Sequence, residues 1–177
     1  MPRQSRQPES TARGFTLLEL MFTIAVAAIL MVIAIPSFTH VMASTDAAQT
    51  SNSLVSAMHL ARTTAVNNGR VACVTANASG WASGWDVKLD MDGDSACGAA
   101  TDTVVRSYGA LDSRFHLSSA TSEIAFTSTG ALVGASDTSV TVCRTGDHKA
   151  QAVKITVRSS GTLSSYRDDS VTGATCS

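Results

Sequence analysis

The feature that most constrains this chain is a long apolar run near its start that a single carboxylate interrupts. The 22 positions from Phe15 to Pro36 contain one charged residue, Glu19. As an α-helix this run would be about 33 Å long, which is enough to cross a hydrocarbon core of about 30 Å. We therefore predict a membrane-spanning helix over residues 15–36.

The charges before this run predict its orientation. Arg3, Arg6 and Arg13 outnumber Glu9 in residues 1–14, whereas the whole chain has a formal net charge of −1. Because positive residues flank the cytoplasmic end of membrane helices, we expect everything after residue 36 to lie outside the cytoplasm. A cleaved secretory signal would have a shorter apolar region, and a buried core helix is disfavoured by the basic flank. A plain anchor leaves Glu19 unexplained, because an unpaired carboxylate in lipid is costly.

The residues at the start of the run resemble a known processing signal. Gly14-Phe15-Thr16-Leu17-Leu18-Glu19 is similar to the type III signal of type IV pilins and type II secretion pseudopilins. The resemblance implies that prepilin peptidase cleaves between Gly14 and Phe15 and that Phe15 becomes N-methylated. It also implies that Glu19 pairs with the new amino group, in the same or a neighbouring subunit, during assembly. An opposite charge would offset part of the desolvation cost of both groups.

The pattern after Pro36 predicts one continued helix and then strands. Apolar residues recur at helical spacing at Leu54, Met58, Ala61 and Ala65, and we expect one helix from about residue 15 to residue 67, bent near Pro36. Asn67-Asn68-Gly69 is a helix stop. Six β-rich runs follow, at residues 71–74, 85–89, 103–106, 124–126, 140–143 and 153–158. Short spacings without helices favour antiparallel sheets, so the predicted class is α+β.

The order of motifs along the chain resembles the FimT/FimU/GspH group of minor pilins and pseudopilins. The motifs are Leu60-Ala61-Arg62, Gly84-Trp85-Asp86-Val87, Ile124-Ala125-Phe126 with Gly130, and Val142-Cys143-Arg144 with Cys176. The resemblance implies four segments: a cleaved leader (1–14), a membrane or filament-core helix (15–36), an amphipathic helix (37–68) and a β domain (69–177). It implies a minor pilin that primes or caps a type IV pilus, with other pilins, prepilin peptidase and inner-membrane lipid as partners.

Two other functions stay open under this resemblance. A minor pseudopilin of type II secretion would have the same fold, and a DNA-uptake minor pilin would be a binding protein. In each case we expect a single-pass inner-membrane protein with a cytoplasmic amino terminus and a periplasmic β domain, which later enters a filament. Beyond the export signal the chain has four cysteines, a pattern typical of disulfides in an oxidising compartment. We predict the pairs Cys73–Cys97 and Cys143–Cys176.

An acidic cluster follows the Gly-Trp motif. Asp90, Asp92 and Asp94 alternate as at the start of a calcium loop, but the position that needs a bidentate glutamate is Thr101. We interpret the cluster as a solvated hairpin turn, with a weak calcium site as the alternative, and assign no metal ligands. The four histidines show no paired spacing and no nucleotide-binding or hydrolase motif is present. We therefore expect neither enzymatic activity nor a cofactor. Trp85 is predicted to be core, whereas Trp81 is predicted to lie in a Gly/Ser-rich loop and to be more open.

The carboxy-terminal part carries the basic residues that nucleic acid would need. Lys154 and Arg158 alternate with apolar residues of one predicted strand, and Arg144 and Arg167 lie nearby in the sequence. Some FimT-like proteins bind DNA through an arginine-rich Gly-Arg-x-Arg stretch, but this chain reads Ser160-Gly161-Thr162-Leu163 there. With these four residues as the only candidate contacts, we expect no nucleic-acid partner.

Overall fold

The structure, a computed structural model, describes residues 15–144, 152–168 and 170, without the side chains of residues 32–44, 46 and 47. It divides into two compact units, Met1–Thr39 and His40–Ser177. One helix, α1 (Leu17–Asn68), contributes to both units and includes Pro36. In the part of the chain whose side chains are described, no helix is both long and apolar enough to cross a bilayer.

The two ends of α1 are closed by local hydrogen bonds. Thr16 is the amino-terminal cap, since its Oγ1 accepts the N–H of Glu19 at 3.2 Å. At the other end Gly69 has φ of 64°, and the N–H of Arg70 donates to the carbonyl oxygen of Ala65 at 3.2 Å. This geometry is a Schellman motif, which requires a left-handed residue and therefore favours glycine. The predicted helix stop is confirmed.

Eight strands form two antiparallel sheets. They are β1 (Ala72–Asn77), β2 (Gly80–Leu89), β3 (Thr103–Tyr108), β4 (Phe115–Ser119), β5 (Glu123–Phe126), β6 (Thr138–Arg144), β7 (Ala152–Val157) and β8 (Leu163–Asp168). The first sheet has the order β3-β2-β1-β5 and the second the order β4-β6-β7-β8. All pairings between neighbouring strands are antiparallel. The predicted α+β class is confirmed.

The sequence patterns missed two strands, β4 and β8, and placed Trp81 in a loop. Both missed strands are edges of the second sheet, and much of each is exposed. An edge strand needs little apolar alternation, so it leaves a weak signal in the sequence. Trp81 lies instead within β2 and is 5% exposed, with its Nε1 donating to the carbonyl oxygen of Thr121 at 2.8 Å.

The core of the second unit lies between one face of α1 and both sheets. The residues of α1 that are completely buried there are Leu54, Ala57, Met58, Ala61 and Ala65. Residues of both sheets join the same cluster, among them Val74, Trp85, Phe126, Val140 and Ile155. Trp85 is 1% exposed and stacks on Tyr108 with 5.5 Å between ring centroids, so its predicted place in the core is confirmed.

Candidate functional site

The amino-terminal part of α1 presents apolar side chains in every direction. The large apolar residues that are exposed there are Phe15, Leu17, Leu18, Leu20, Met21, Phe22, Ile24, Val26, Ile29, Leu30 and Met31, with exposed fractions from 44% to 81%. A helix that is apolar all round is stable only when other molecules cover it. Every residue from 15 to 31 is exposed. These residues thus form an exposed apolar helical segment with one charge, Glu19.

Glu19 lies in the first turn of this exposed segment. Its N–H is the donor to Thr16 Oγ1, so Glu19 occupies the third helical position after the cap. Thr-x-x-Glu is a capping-box sequence. The positive end of the helix dipole also stabilises the negative charge of a glutamate at this position. The sequence interpretation assigned no role to Thr16, although this spacing could have revealed one. Gly14, the other half of the predicted cleavage site, lies outside the described residues.

The acidic loop between β2 and β3 is organised by its own carboxylates. Asp90 is 2% exposed, and its two oxygens accept the N–H groups of Gly93 at 2.6 Å and Ser95 at 3.0 Å. Burial alone would raise the pKa of Asp90. These two hydrogen bonds, the hydrogen bond with the Asp92 side chain and the charge of Arg70 outweigh burial and hold the pKa of Asp90 below its usual value. The prediction of a hairpin turn is correct, but the expected solvation is wrong for Asp90.

Other carboxylates of the same loop also accept hydrogen bonds from backbone N–H groups. Asp102 accepts the N–H groups of Met91 at 3.1 Å and Ala99 at 2.8 Å, and Asp94 accepts that of Ala96 at 2.8 Å. Ligand atoms of Asp90, Asp92 and Asp102 lie within 4.8 Å of one another. The oxygens of Asp90 and Asp102 accept N–H groups of the same loop, so hydrogen bonds within the loop hold its conformation.

The predicted Cys73–Cys97 disulfide is present and fastens this loop to β1. The two Cα atoms are 6.0 Å apart, and both residues are completely buried. Glu123, at the start of β5, accepts the N–H of Cys97 at 3.1 Å. Cys143 lies in β6 with 2% exposure. Its predicted partner Cys176 lies outside the described residues, so that pairing stays a prediction.

The structure does not gather the four basic residues of the carboxy-terminal part on one face. Lys154 is paired with Tyr166, and its neighbour Val153 is paired with Arg167. Because paired residues share a face and successive residues alternate, Lys154 and Arg167 belong to opposite faces of the sheet. Arg144 belongs to the same face of the sheet as Arg167. Arg158 is exposed and follows the end of β7.

Carboxylates also lie beside two of these basic residues. Hydrogen bonds from Ser170, and to a smaller extent the charge of Lys154, lower the pKa of Asp168. The pKa of Asp112 is lowered to about 2, mainly by its hydrogen-bonded pair with Arg114 and in part by the charge of Arg144. Nearby negative charge weakens the attraction that an isolated cation would exert on a phosphate.

Comparisons with known proteins agree with this fold and with the amino-terminal motif. The family described as type II transport protein GspH matches residues 50–161, and the prokaryotic N-terminal methylation motif matches residues 10–35. No curated protein sequence matches the chain at a significant level.

Two solved structures with the same fold are crystal forms of the type IV minor pilin FimU from Pseudomonas aeruginosa (strain PAO1). One is 17% identical with a TM-score of 0.56, and the match covers 73% of this chain and 98% of FimU. The other is 19% identical with a TM-score of 0.57, and covers 79% and 99%. At these identities the likeness concerns the fold. Since the GspH match extends over more than half of its length, the chain belongs to the GspH family and carries the N-terminal methylation motif of prokaryotic pilins.

Proposed function

We propose that the chain is a minor pilin of the FimT/FimU type that helps to prime or cap a type IV pilus. The observation that carries this proposal is the exposed apolar segment of residues 15–31, which directly follows a processing motif and contains one charge, Glu19. Such a segment would be anchored in the inner membrane before assembly and would pack against the helices of sister pilins afterwards. The role is structural, with no catalytic step.

The proposed topology follows from the charges of the leader. Arg3, Arg6 and Arg13 would hold the amino terminus in the cytoplasm, and the β domain would fold in the periplasm. Prepilin peptidase would cut after Gly14. The mass of the intact protein, isolated from membranes, should then correspond to the loss of 14 residues and the gain of a methyl group on Phe15. An unprocessed mass in cells with an active peptidase would contradict the proposal.

Glu19 would neutralise the new amino group of Phe15 within the filament. Glu19→Ala should be processed and folded but should be depleted from purified pili, because the buried amine would lose its opposite charge. Thr23→Ala is the matched control, since it removes a polar side chain of the same segment whose described hydrogen bond is to its own helix, at the carbonyl oxygen of Leu20. Equal recovery of wild type and Glu19→Ala in sheared pili would rule out this role.

A second candidate, a minor pseudopilin of type II secretion, is favoured by the family match to GspH. The two machines use different partners, so subunits that copurify with the tagged full chain from membranes would distinguish them. Recovery with pilus components supports the first proposal, and recovery with secretion components supports the second. We propose no DNA-uptake role, because Lys154 and Arg167 belong to opposite faces of the sheet and Lys154 has an acidic neighbour.

A further inference from the structure

The Cys73–Cys97 disulfide joins the acidic loop to one face of the first sheet. Cys73 is paired with Lys88 of β2 and with Ala125 of β5. Glu123 lies two residues before Ala125 in the same strand. Because paired residues share a face and successive residues alternate, the side chains of Cys73, Lys88 and Glu123 belong to one face of the sheet. The disulfide therefore lies between a cationic and an anionic side chain of the neighbouring strands.

The peptide groups on either side of the Cys97 side chain are held by these two charged residues. The N–H of Cys97 donates to a carboxylate oxygen of Glu123 at 3.1 Å. The carbonyl oxygen of Cys97 accepts a long hydrogen bond of 3.5 Å from the ammonium group of Lys88. We call these two contacts the Cys97 clamp. Together with the disulfide, the Cys97 clamp attaches the loop to β1, β2 and β5 at a single residue.

The sulfur atoms are buried beside the Cys97 clamp. Cys73 and Cys97 are both 0% exposed, and their sulfurs and one oxygen of Glu123 lie within 4.8 Å of one another. A reductant must contact a sulfur of the disulfide before it can break the S–S bond. Reduction therefore requires the loop to move away from the sheet, and the Cys97 clamp opposes this movement.

We propose that the Cys97 clamp keeps the Cys73–Cys97 disulfide inaccessible to reductants in the folded protein. Opening the loop would leave the carboxylate of Glu123 and the N–H of Cys97 without each other, and a hydrogen bond to a charged group would be lost. The open form would thus be rare, and the disulfide would resist exchange with external thiols. These contacts lie within the β domain, so this proposal goes beyond the proposed role in a filament and does not depend on it.

The Cys97 clamp needs an acceptor oxygen at Glu123 rather than its negative charge. Burial and the charges of Asp94 and Asp102 raise the pKa of Glu123. The hydrogen bond from Cys97 and the charge of Lys88 offset only part of this rise. An uncharged amide oxygen at this position could accept the same N–H without the cost of a buried charge. We therefore expect Glu123→Gln to preserve the Cys97 clamp and Glu123→Ala to break it.

The test measures how fast an uncharged, water-soluble phosphine reduces the disulfide in the folded full chain in detergent micelles. The phosphine attacks one sulfur and the S–S bond breaks. Water then supplies two protons to the thiols and its oxygen to the phosphine oxide. Alkylation of the new thiols, followed by mass spectrometry of the peptides that contain Cys73 and Cys97, gives the reduced fraction over time.

Glu123→Ala should be reduced about tenfold faster than the wild type, as the loss of one hydrogen bond to a charged group would allow. Glu123→Gln should be reduced no faster than the wild type. Lys88→Met should also be reduced faster, because the carbonyl oxygen of Cys97 loses its donor. A wild-type rate in either Glu123→Ala or Lys88→Met, or a Glu123→Gln rate as fast as that of Glu123→Ala, would overturn the proposal.

Two controls separate the Cys97 clamp from a general loss of stability. Asp137→Ala is the matched variant, since Asp137 also accepts a backbone N–H, that of Ser159 at 2.7 Å, elsewhere in the fold. It should leave the reduction rate unchanged. Low concentrations of urea should not accelerate the reduction of Glu123→Ala, because opening of a loop exposes little surface. Equal acceleration in Asp137→Ala, or a rate for Glu123→Ala that rises with urea as steeply as global unfolding, would overturn the proposal.

Discussion

The Nε of Arg62 donates a hydrogen bond of 2.8 Å to the carbonyl oxygen of Gly130 and thereby joins α1 to the turn after β5. Gly161, in the turn between β7 and β8, packs against the same carbonyl group: a Cβ added to it would collide with the Gly130 oxygen and lie 3.0 Å from Arg62 Nε. Three distant parts of the chain therefore meet at one peptide group. The contact links the helix with both sheets.

We predict that Gly161→Ala strongly destabilises the β domain. Gly161 has φ of 77°, so an alanine would combine backbone strain with the collision. The expected loss is about 2–4 kcal/mol in the free energy of unfolding. Both tryptophans lie in β2, so their fluorescence during urea unfolding of the full chain in detergent reports on this domain. Gly109→Ala, where a Cβ would meet no atom within 4 Å, is the control and should change stability little.

Loss of the Cys73–Cys97 disulfide should lower the free energy of unfolding by about 3.5 kcal/mol on the loop-entropy account, given its sequence separation of 24. The double variant Cys73→Ala with Cys97→Ala should therefore unfold at lower urea concentration. Added reductant should shift unfolding of the wild type and leave the double variant less affected. An unchanged urea midpoint in the double variant would show that hydrogen bonds within the loop suffice to hold it.

The second disulfide, between Cys143 and Cys176, is predicted from the sequence and is open to a direct chemical test. Proteolysis of the unreduced full chain, followed by mass spectrometry, should yield a peptide pair that joins these two residues and separates on reduction. A peptide that links Cys73 to Cys143 would contradict both predicted pairs at once.

Asp90→Asn should destabilise the protein by about 2–3 kcal/mol near neutral pH, because a buried charged acceptor of two N–H groups is lost. The folded pKa of Asp90 lies below its ordinary value of 3.8. Its ionised form therefore contributes stability above that pH, and the contribution disappears as the pH falls through the folded pKa. Urea unfolding at neutral and acidic pH should show the difference between wild type and Asp90→Asn shrinking in acid. Asp86→Asn, which changes a carboxylate of β2 that takes no part in the described hydrogen bonds of this loop, should show neither effect.

DNA affinity should be weak and should vanish at physiological salt. Each phosphate contact contributes a slope of about 0.9 in log affinity against log salt, and the sheet register leaves Lys154 and Arg158 without Arg167 on their face. Anisotropy of a labelled duplex with the full chain, at low and physiological salt, measures this. Tight binding at physiological salt that Lys154→Ala with Arg158→Ala abolishes would reverse the conclusion and favour the DNA-uptake function.

The sequence by itself determined the class of the fold and the amino-terminal motif, because these depend on local patterns. The apolar run around Glu19, the helix stop at Gly69 and the alternation in β2 and β7 are each readable within a few residues. The Cys73–Cys97 pair was also predicted correctly. The local features are encoded by neighbours along the chain, so a single sequence is enough to find them, whereas the Cys73–Cys97 pair belongs to one of three possible connectivities.

Only the tertiary structure decided which distant residues meet. The edge strands β4 and β8 are held by pairing with β6 and β7 rather than by their own apolar pattern. The pairing register of β7 and β8 places Lys154 and Arg167 on opposite faces of the sheet, although the sequence suggested that they belong to one basic cluster. The burial of Asp90 and the meeting of Arg62, Gly130 and Gly161 depend on close packing between segments far apart in sequence. Long-range packing of this kind has no local periodicity, and it therefore becomes visible only once the chain is folded.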